Sequence, residues 1–540
     1  VLVLLAASMP TMAATNDAWS PPSNLSDWQG SVLDFRLELG RDGTQAALWL
    51  AQDGSGKWSL WARVRPPGGD WGPPENLSGW REYLAKLLPT FWDAGVDADG
   101  SVWALWVAVD SAQTGDNVLV MSARRPPDGS WQGVALSDGY ETAVRWADLH
   151  IGPDGHVAAA WVACASFTNS AQGPCHVRVR RRPAGAPAWL PVEHADETYS
   201  GEGISQADVL VGPGGLTAVL WLQADTSTPA NWAVMARTFS PEPPPGTWDP
   251  SPVNLSDWKS YIKLPPSVID PGGTVTVAWL TFSSDPAKRA NYASTRSATA
   301  GAWSSPPTQI SKARGGFSLY EPTLAVGQDG TVAAVWIYRA VPTESYLLAN
   351  VRDPGSVWGG EVQVYGRANL MFGDVNLGVW PDGASIVLYS LIDPSHPKAE
   401  DELLRWSMRP PYGAWGDGGQ GKLGEWTAGI LRTALELGGD GSGTALWGLE
   451  DASRPSGQEY SVVAATWPPG GRFGPPVQIS DWYGFAWVRP TGLVVGREGW
   501  PVAAVWRAMR ASPFNEAVFY SELGTGGHLV HLPLVLRRSP

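Results

Sequence analysis

Residues 34–78 read DFRLELGRDGTQAALWLAQDGSGKWSLWARVRPPGGDWGPPENLS, and their alternation decides the fold. DFRLELG has the period-two pattern of a strand, and RDG is a tight turn of the Asp-Gly hairpin kind. TQAALWLAQ reads as a second strand and SLWARVR as a third. After PPGGDW, GPPENLS reads as a short fourth. Four antiparallel strands therefore fit within this one stretch.

The same unit recurs along the whole chain. A turn glycine followed by a short apolar strand stands at Gly43, Gly100, Gly155, Gly215, Gly273, Gly330, Gly383, Gly441 and Gly499, a mean spacing of 57 residues. Six positions after eight of these glycines stands an aromatic residue: Trp49, Trp106, Trp161, Trp221, Trp279, Trp336, Tyr389 and Trp447. In the ninth unit Trp506 comes seven positions on, as though Trp500-Pro501 added a residue. A four-stranded repeat of this length is one blade of a β-propeller, so the expected fold is all-β, with about nine blades. A β-solenoid would instead show parallel coils rather than a hairpin turn at every repeat. Two smaller rings fit the same count, although no linker divides the repeats.

The ends of the chain point to a closed ring. The fourth-strand element W-x-x-P-x-N-L-S first occurs at Trp19 to Ser26, ahead of any complete unit. It returns with Trp71, Trp131, Trp189, Trp248, Trp303, Trp358 and Trp415, and with Phe473 in the tryptophan place. The last unit stops after its third strand, AVFYSEL. Inner and outer strands match in number only if the N-terminal strand pairs with the last blade, which removes the exposed sheet edges. The domain reading is a leader over 1–18, a propeller over 19–523 and a tail over 524–540. The abundant tryptophans (32 in the chain) are expected to fill the wedges between blades. Asn24, Asn76 and Asn254 match glycosylation sequons, but they recur within the repeat and read as turn residues.

Composition narrows the function. Apolar residues make up 44% and charged residues 17%, which excludes a disordered chain. A net charge of −14 and no basic run longer than Arg180-Arg181-Arg182 argue against nucleic acid. VLVLLAASMPTMAA at the start has the apolar run and small residues of a secretory signal lacking its beginning. No other apolar run approaches the length of a membrane span. Cys164 and Cys175 flank a Gly/Pro/Ser loop between two strand-like runs and are expected to form a disulfide, as an exported protein allows. Two isolated thiols and seven histidines without ligand spacing give no metal site, and no cofactor motif is present.

The turns between third and fourth strands carry a resemblance. PPDGSW with Asp128-Gly129-Ser130-Trp131, PPGGDW ending at Gly69 to Trp71, and PPGTW ending at Trp248 resemble the Asp-box, Ser-x-Asp-x-Gly-x-x-Trp. That box marks the sialidase-like (BNR-repeat) propeller superfamily and lies between the same two strands. The resemblance spans roughly residues 19 to 523 and implies a propeller. In a sialidase it would further imply a three-arginine cluster, a Tyr/Glu nucleophile pair and an Asp acid/base. The family's Phe-Arg-Ile-Pro signature has an echo in Phe35-Arg36-Leu37. Six blades are usual in that family, and similar scaffolds also serve as lectins.

Candidate site residues follow from counting back from each turn glycine. Seven places back stand Arg36, Asp93, Asp148 and Asp208, with His150 two residues beyond Asp148. Such a row fits a hard cation or a ligand hydroxyl, or else side chains solvated around a water-filled channel or hydrogen-bonded to neighbouring blades. Ten back, Arg145, Lys263 and Arg489 recur, with Arg432 one place closer. These suit a sugar carboxylate. The connections leaving the fourth strands hold Trp28, Trp80, Trp258, Trp426 and Trp482, which offer platforms for sugar faces if exposed and blade filling if packed. The 524–540 tail, Gly-rich and then apolar, resembles a sorting or docking tail. The leading expectation is an exported, non-catalytic propeller that binds a glycan. A sialidase-type glycoside hydrolase and a surface scaffold for protein partners are the alternatives.

Overall fold

The computed structural model describes residues 19–523, apart from 27–30, 80–91, 110–117, 166–174, 197–202, 258–264, 282–288, 393–401, 425–428, 488–492, 495–501, 510–515 and gaps of one to three residues. The leader and the 524–540 tail thus lie outside the described residues. Nine antiparallel sheets follow one another along the chain. Blade 1 consists of Ser31–Leu39, Gln45–Gln52, Trp58–Arg65 and Glu75–Asn76, in that spatial order. Blades 2 to 8 span 92–135, 143–194, 204–254, 267–309, 318–368, 371–422 and 429–478. Among the described residues the only helical element is the short turn Pro213–Gly215. Among the described residues no helix is long and apolar enough to cross a membrane.

Blade 9 is completed from the other end of the chain. Its third strand, Glu516–Leu523, pairs with Ser23–Asn24 in the register Ser23 to Tyr520 and Asn24 to Phe519. A bridge from Trp19 to Leu523 and a bond from the Leu25 N–H to the Val518 carbonyl (2.8 Å) extend the pairing. Each inner strand lies against the inner strand of the next blade, around to Ser31–Leu39 against Leu493–Val494. One ring of nine blades is the result, not two smaller ones.

The core is divided in the same way, into nine apolar clusters, each filling the wedge between two adjacent blades. The repeated aromatic residue is buried in every blade, from Trp49 to Trp506. Trp506 faces Phe519 across the strand pair as Trp49 faces Trp61. Burial of a large rigid ring at each wedge sets the spacing of the sheets.

The turn glycines keep the left-handed backbone that a side chain resists, with φ between 79° and 92° at all eight described positions. Asp42 does not share it, so the hairpin differs from a two-residue Asp-Gly turn. The Gly43 N–H bonds the Gly40 carbonyl at 3.0 Å, and Asp42 accepts from the Thr44 N–H at 3.0 Å. Outer strands are mostly two to four residues long, but blade 6 has a full one at Val362–Ala368. Two of the sequon asparagines hold turns: Asn24 accepts from the Ser26 N–H (3.0 Å) and Asn76 from the Gly79 N–H (2.7 Å). Cys164 and Cys175 are disulfide-bonded and directly opposite one another at the end of a strand pair in blade 3.

Candidate functional site

An inner strand bonds to its own blade along one edge only, and its other edge carries N–H groups that need acceptors. The row of polar side chains found from the sequence supplies them. Asp93 on blade 2 accepts from the Leu149 N–H of blade 3 at 3.0 Å, and Asp148 on blade 3 from the Val209 N–H of blade 4 at 2.9 Å. His150 Nδ1 accepts from the Val211 N–H at 3.0 Å. Arg36 is ion-paired with Asp93, and the Ser267 hydroxyl donates to Asp208. Asp374 repeats the device from blade 7 to the Thr433 N–H of blade 8, at 3.0 Å. These residues are joined blade to blade by hydrogen bonds and an ion pair.

The electrostatics follow from that crowding. Burial, then the neighbouring Asp208 and Asp93, push the Asp148 carboxyl well above the usual range. Burial lowers the His150 imidazole and favours its neutral form, which the acceptor role of Nδ1 requires. The row is therefore a set of paired groups and carries less charge than its composition suggests.

Two carboxylates further along the inner strands were not singled out from the sequence. Burial raises Glu38 to about 8, against the attraction of Arg36 and with repulsion from Asp93 and Glu436. Burial raises Glu436 to about 7, although its side chain is exposed to the channel and water there reduces the effect. Between about pH 4.5, where such a carboxyl titrates in an unfolded chain, and pH 8, the native protein retains protons that the unfolded chain has lost. Stability contributed by Glu38 is thus complete below that window and declines as pH rises through it. Glu38→Gln is expected to flatten the decline and to raise the urea midpoint at pH 9 relative to the unsubstituted chain, with little change at pH 4.5. A lower midpoint for the variant at pH 9 would contradict this assignment.

Among the described residues, the other sequence candidates are not brought together. Trp28, Trp80, Trp258 and Trp426 lie outside the described residues, as do Lys263 and Arg489. Trp482 is half-buried with the Arg454 guanidinium over its ring, 3.7 Å from the centroid. Arg145 is half-buried on blade 3, and Arg432 is exposed on blade 8, 3.4 Å from Asp374. With Arg36 on blade 1, these three candidate arginines occupy non-adjacent blades. The Asp128-to-Trp131 turn does join the third strand of blade 2 to its outer strand, and the Gly129 N–H bonds the Pro126 carbonyl at 3.1 Å.

A cleft missed from the sequence lies between blades 4 and 5, with a volume of about 730 Å³. Its lining includes the rings of Tyr292, Trp279 and Trp303 and the amides of Asn254 and Gln309. Tyr292 is half-buried and stacks on Trp279 with ring centroids 6.5 Å apart. Gln309 is exposed at the rim. An apolar floor with a few polar groups and a volume of this order fits a small ligand. The lining comes from two blades, residues 253–257 of one and 279–313 of the next, so no single local pattern marks the cleft in the sequence.

No protein family and no curated protein matches the chain. Solved structures that it resembles include a protein of unknown function from Dyadobacter fermentans (13% identity, TM-score 0.33, 59% of this chain and 94% of that one). Another is the polysaccharide lyase Uly1 (8% identity, TM-score 0.39, 66% of this chain and 86% of that one). A third is the microbial sialidase Hz136 (14% identity, TM-score 0.32, 62% of this chain and 71% of that one). At such identity and overlap none of them assigns an activity, and what the chain itself shows is a nine-bladed, all-β propeller.

Proposed function

We propose that this chain is an exported, non-catalytic propeller that binds a glycan in the cleft between blades 4 and 5. The observation that carries the reading is the pairing of half-buried Tyr292 with the Asn254 and Gln309 amides in one cleft. A sugar ring has an apolar face that packs on an aromatic ring and an equator of hydroxyls that bond to amides. The cleft volume of about 730 Å³ accommodates a short saccharide. Export is supported by the Cys164–Cys175 disulfide, since such bonds persist in oxidising compartments. A sialidase-type hydrolase gains no support from the candidate arginines Arg36, Arg145 and Arg432, which sit on blades 1, 3 and 8.

A glycan array with the full chain tests the reading. Saturable binding to one sugar class is expected, with about tenfold weaker binding for Tyr292→Ala. Gln309→Ala removes an exposed rim amide that also donates to the Ser311 carbonyl at 2.7 Å, and is expected to weaken binding several-fold with a stability loss of about 1 kcal/mol or less. Absence of binding to any sugar class would overturn the reading in favour of a scaffold for protein partners. Turnover of a sialoside would replace it with hydrolysis.

A further inference from the structure

The outer edge of blade 3 departs from the repeat in a way that changes its chemistry. In six other blades a serine hydroxyl near the outer strand accepts from a third-strand N–H. The pairs are Ser26 with Val518, Ser78 with Leu60, Ser137 with Val120, Ser256 with Val234, Ser311 with Asn291 and Ser480 with Val462, at 2.7–3.3 Å. In blade 3 the N-L-S of this element is replaced by His194-Ala195-Asp196, so that Asp196 stands in the serine place. Blade 1 shows what the ordinary cluster looks like: Ser59, Asn76 and Ser78, with the Ser59 hydroxyl donating to Asn76. The matching positions in blade 3 are His176, His194 and Asp196.

Strand register brings the three together. The outer strand of blade 3 pairs Arg178 with His194 and Val179 with Glu193, and the Ala195 N–H bonds the Val177 carbonyl at 2.9 Å. His176 therefore stands directly across from Asp196, with His194 on the diagonal of the same sheet face. His176 Nδ1 lies 3.1 Å from Asp196 Oδ2, and the two rings meet edge to face with centroids 5.9 Å apart. One ligand-type atom from each of the three lies within 4.8 Å of the others.

We propose that His176, His194 and Asp196 bind a divalent transition-metal ion, Zn²⁺ being the best match. Two imidazoles and one carboxylate are a donor set suited to zinc and its neighbours, and leave a coordination position for water or a ligand. A second observation points to the same place: the Asp196 side chain is fully buried, and its Oδ1 has no hydrogen-bond partner. A buried carboxylate oxygen without a donor is costly, and a cation would satisfy it. In a tetrahedral zinc site the donor atoms lie about 3.3 Å apart, close to the present His176–Asp196 separation. His176 and His194 are half-buried, which gives an ion access from solvent.

The surroundings are compatible with added positive charge. Arg178 is engaged by Glu141 at 2.5 Å, and Arg237 of blade 4 donates to the His194 carbonyl at 3.0 Å. Beside the Cys164–Cys175 disulfide, the ion would tie the outer strand of blade 3 to its third strand.

Zinc titration of the tag-free full chain by calorimetry is the test. One equivalent is expected to bind, with a zinc-dependent rise in melting temperature. The double variant His194→Asn with Asp196→Ser restores the side chains that other blades carry, so its fold is retained. It is expected to lose affinity by about 100-fold or more and to lose the thermal shift. His528 and His531 of the tail remain in both proteins and serve as an internal control. Failure of the full chain to bind zinc, or equal binding by the double variant, would overturn the proposal.

Discussion

Trp221→Ala is expected to destabilise the protein by about 4 kcal/mol, the usual range for removing a fully buried indole from a core that cannot collapse around the gap. Trp221 is completely buried in the wedge between blades 3 and 4. Val177 and Val179 of blade 3 and Val219 and Met235 of blade 4 share that cluster, and they belong to strands whose positions are fixed by their own ladders. The surrounding side chains therefore have little freedom to fill the space. The indole also donates to the buried Gln223 side chain at 3.1 Å, and losing that donor costs about 1 kcal/mol more. Val357→Ala, at a position 84% exposed, provides the control and is expected to change stability by less than about 0.5 kcal/mol. Urea unfolding followed by circular dichroism measures both. A loss below about 1 kcal/mol for Trp221→Ala would show that the wedge tolerates a void and that the aromatic repeat does not set blade spacing.

Removing residues 1–26 is expected to be as damaging, by a different route. The outer strand of blade 9 is lost, together with the Ser20 N–H to Glu522 bond (2.7 Å), the Leu25 N–H to Val518 bond (2.8 Å) and the Ser26 hydroxyl that accepts from the Val518 N–H (3.0 Å). Each contributes about 1 kcal/mol net. Leu25, which is buried against Phe35, Trp49 and Tyr520, adds about 2 kcal/mol. A loss of about 5 kcal/mol or more is the sum. The strand Glu516–Leu523 then presents an open edge, which favours pairing with another chain. Thermal melting together with light scattering after size exclusion reads both consequences. A synthetic peptide covering residues 19–26 is expected to restore part of the melting temperature. An unchanged melting temperature and a monodisperse monomer would show that the ring does not depend on this closure.

Much of the architecture was legible because it is written in local patterns. The turn glycines recur at a nearly constant interval because each hairpin needs one left-handed residue, and only glycine takes that backbone without strain. Gly43 to Gly441 thus mark the blades along the linear chain. Closure was legible for a related reason, since an N-terminal W-x-x-P-x-N-L-S and a final unit without a fourth strand leave one pairing to make. Asp42 shows the limit of such reading: the Asp-Gly dipeptide identified the hairpin but not the backbone conformation at the aspartate.

The partners of the polar side chains were not legible. Asp93, Asp148 and Asp208 could be placed at one height from sequence counting, but their acceptance of bonds from the next blade depends on how closely two inner strands approach. That distance is set by the wedge packing of residues far along the chain, such as Trp161 between blades 2 and 3 and Trp221 between blades 3 and 4. The cleft at Tyr292 and Gln309 is lined by residues of blades 4 and 5 that are up to 60 positions apart, which no local pattern records. His176 and His194 are eighteen positions apart and lack ligand spacing, yet the strand register places them on one face beside Asp196. The sequence by itself determined the repeat, its count and the ring, because backbone hydrogen bonding and alternation act over a few residues. Only the tertiary structure decided which side chains meet, because those meetings depend on distances and angles between sheets that the whole ring fixes at once.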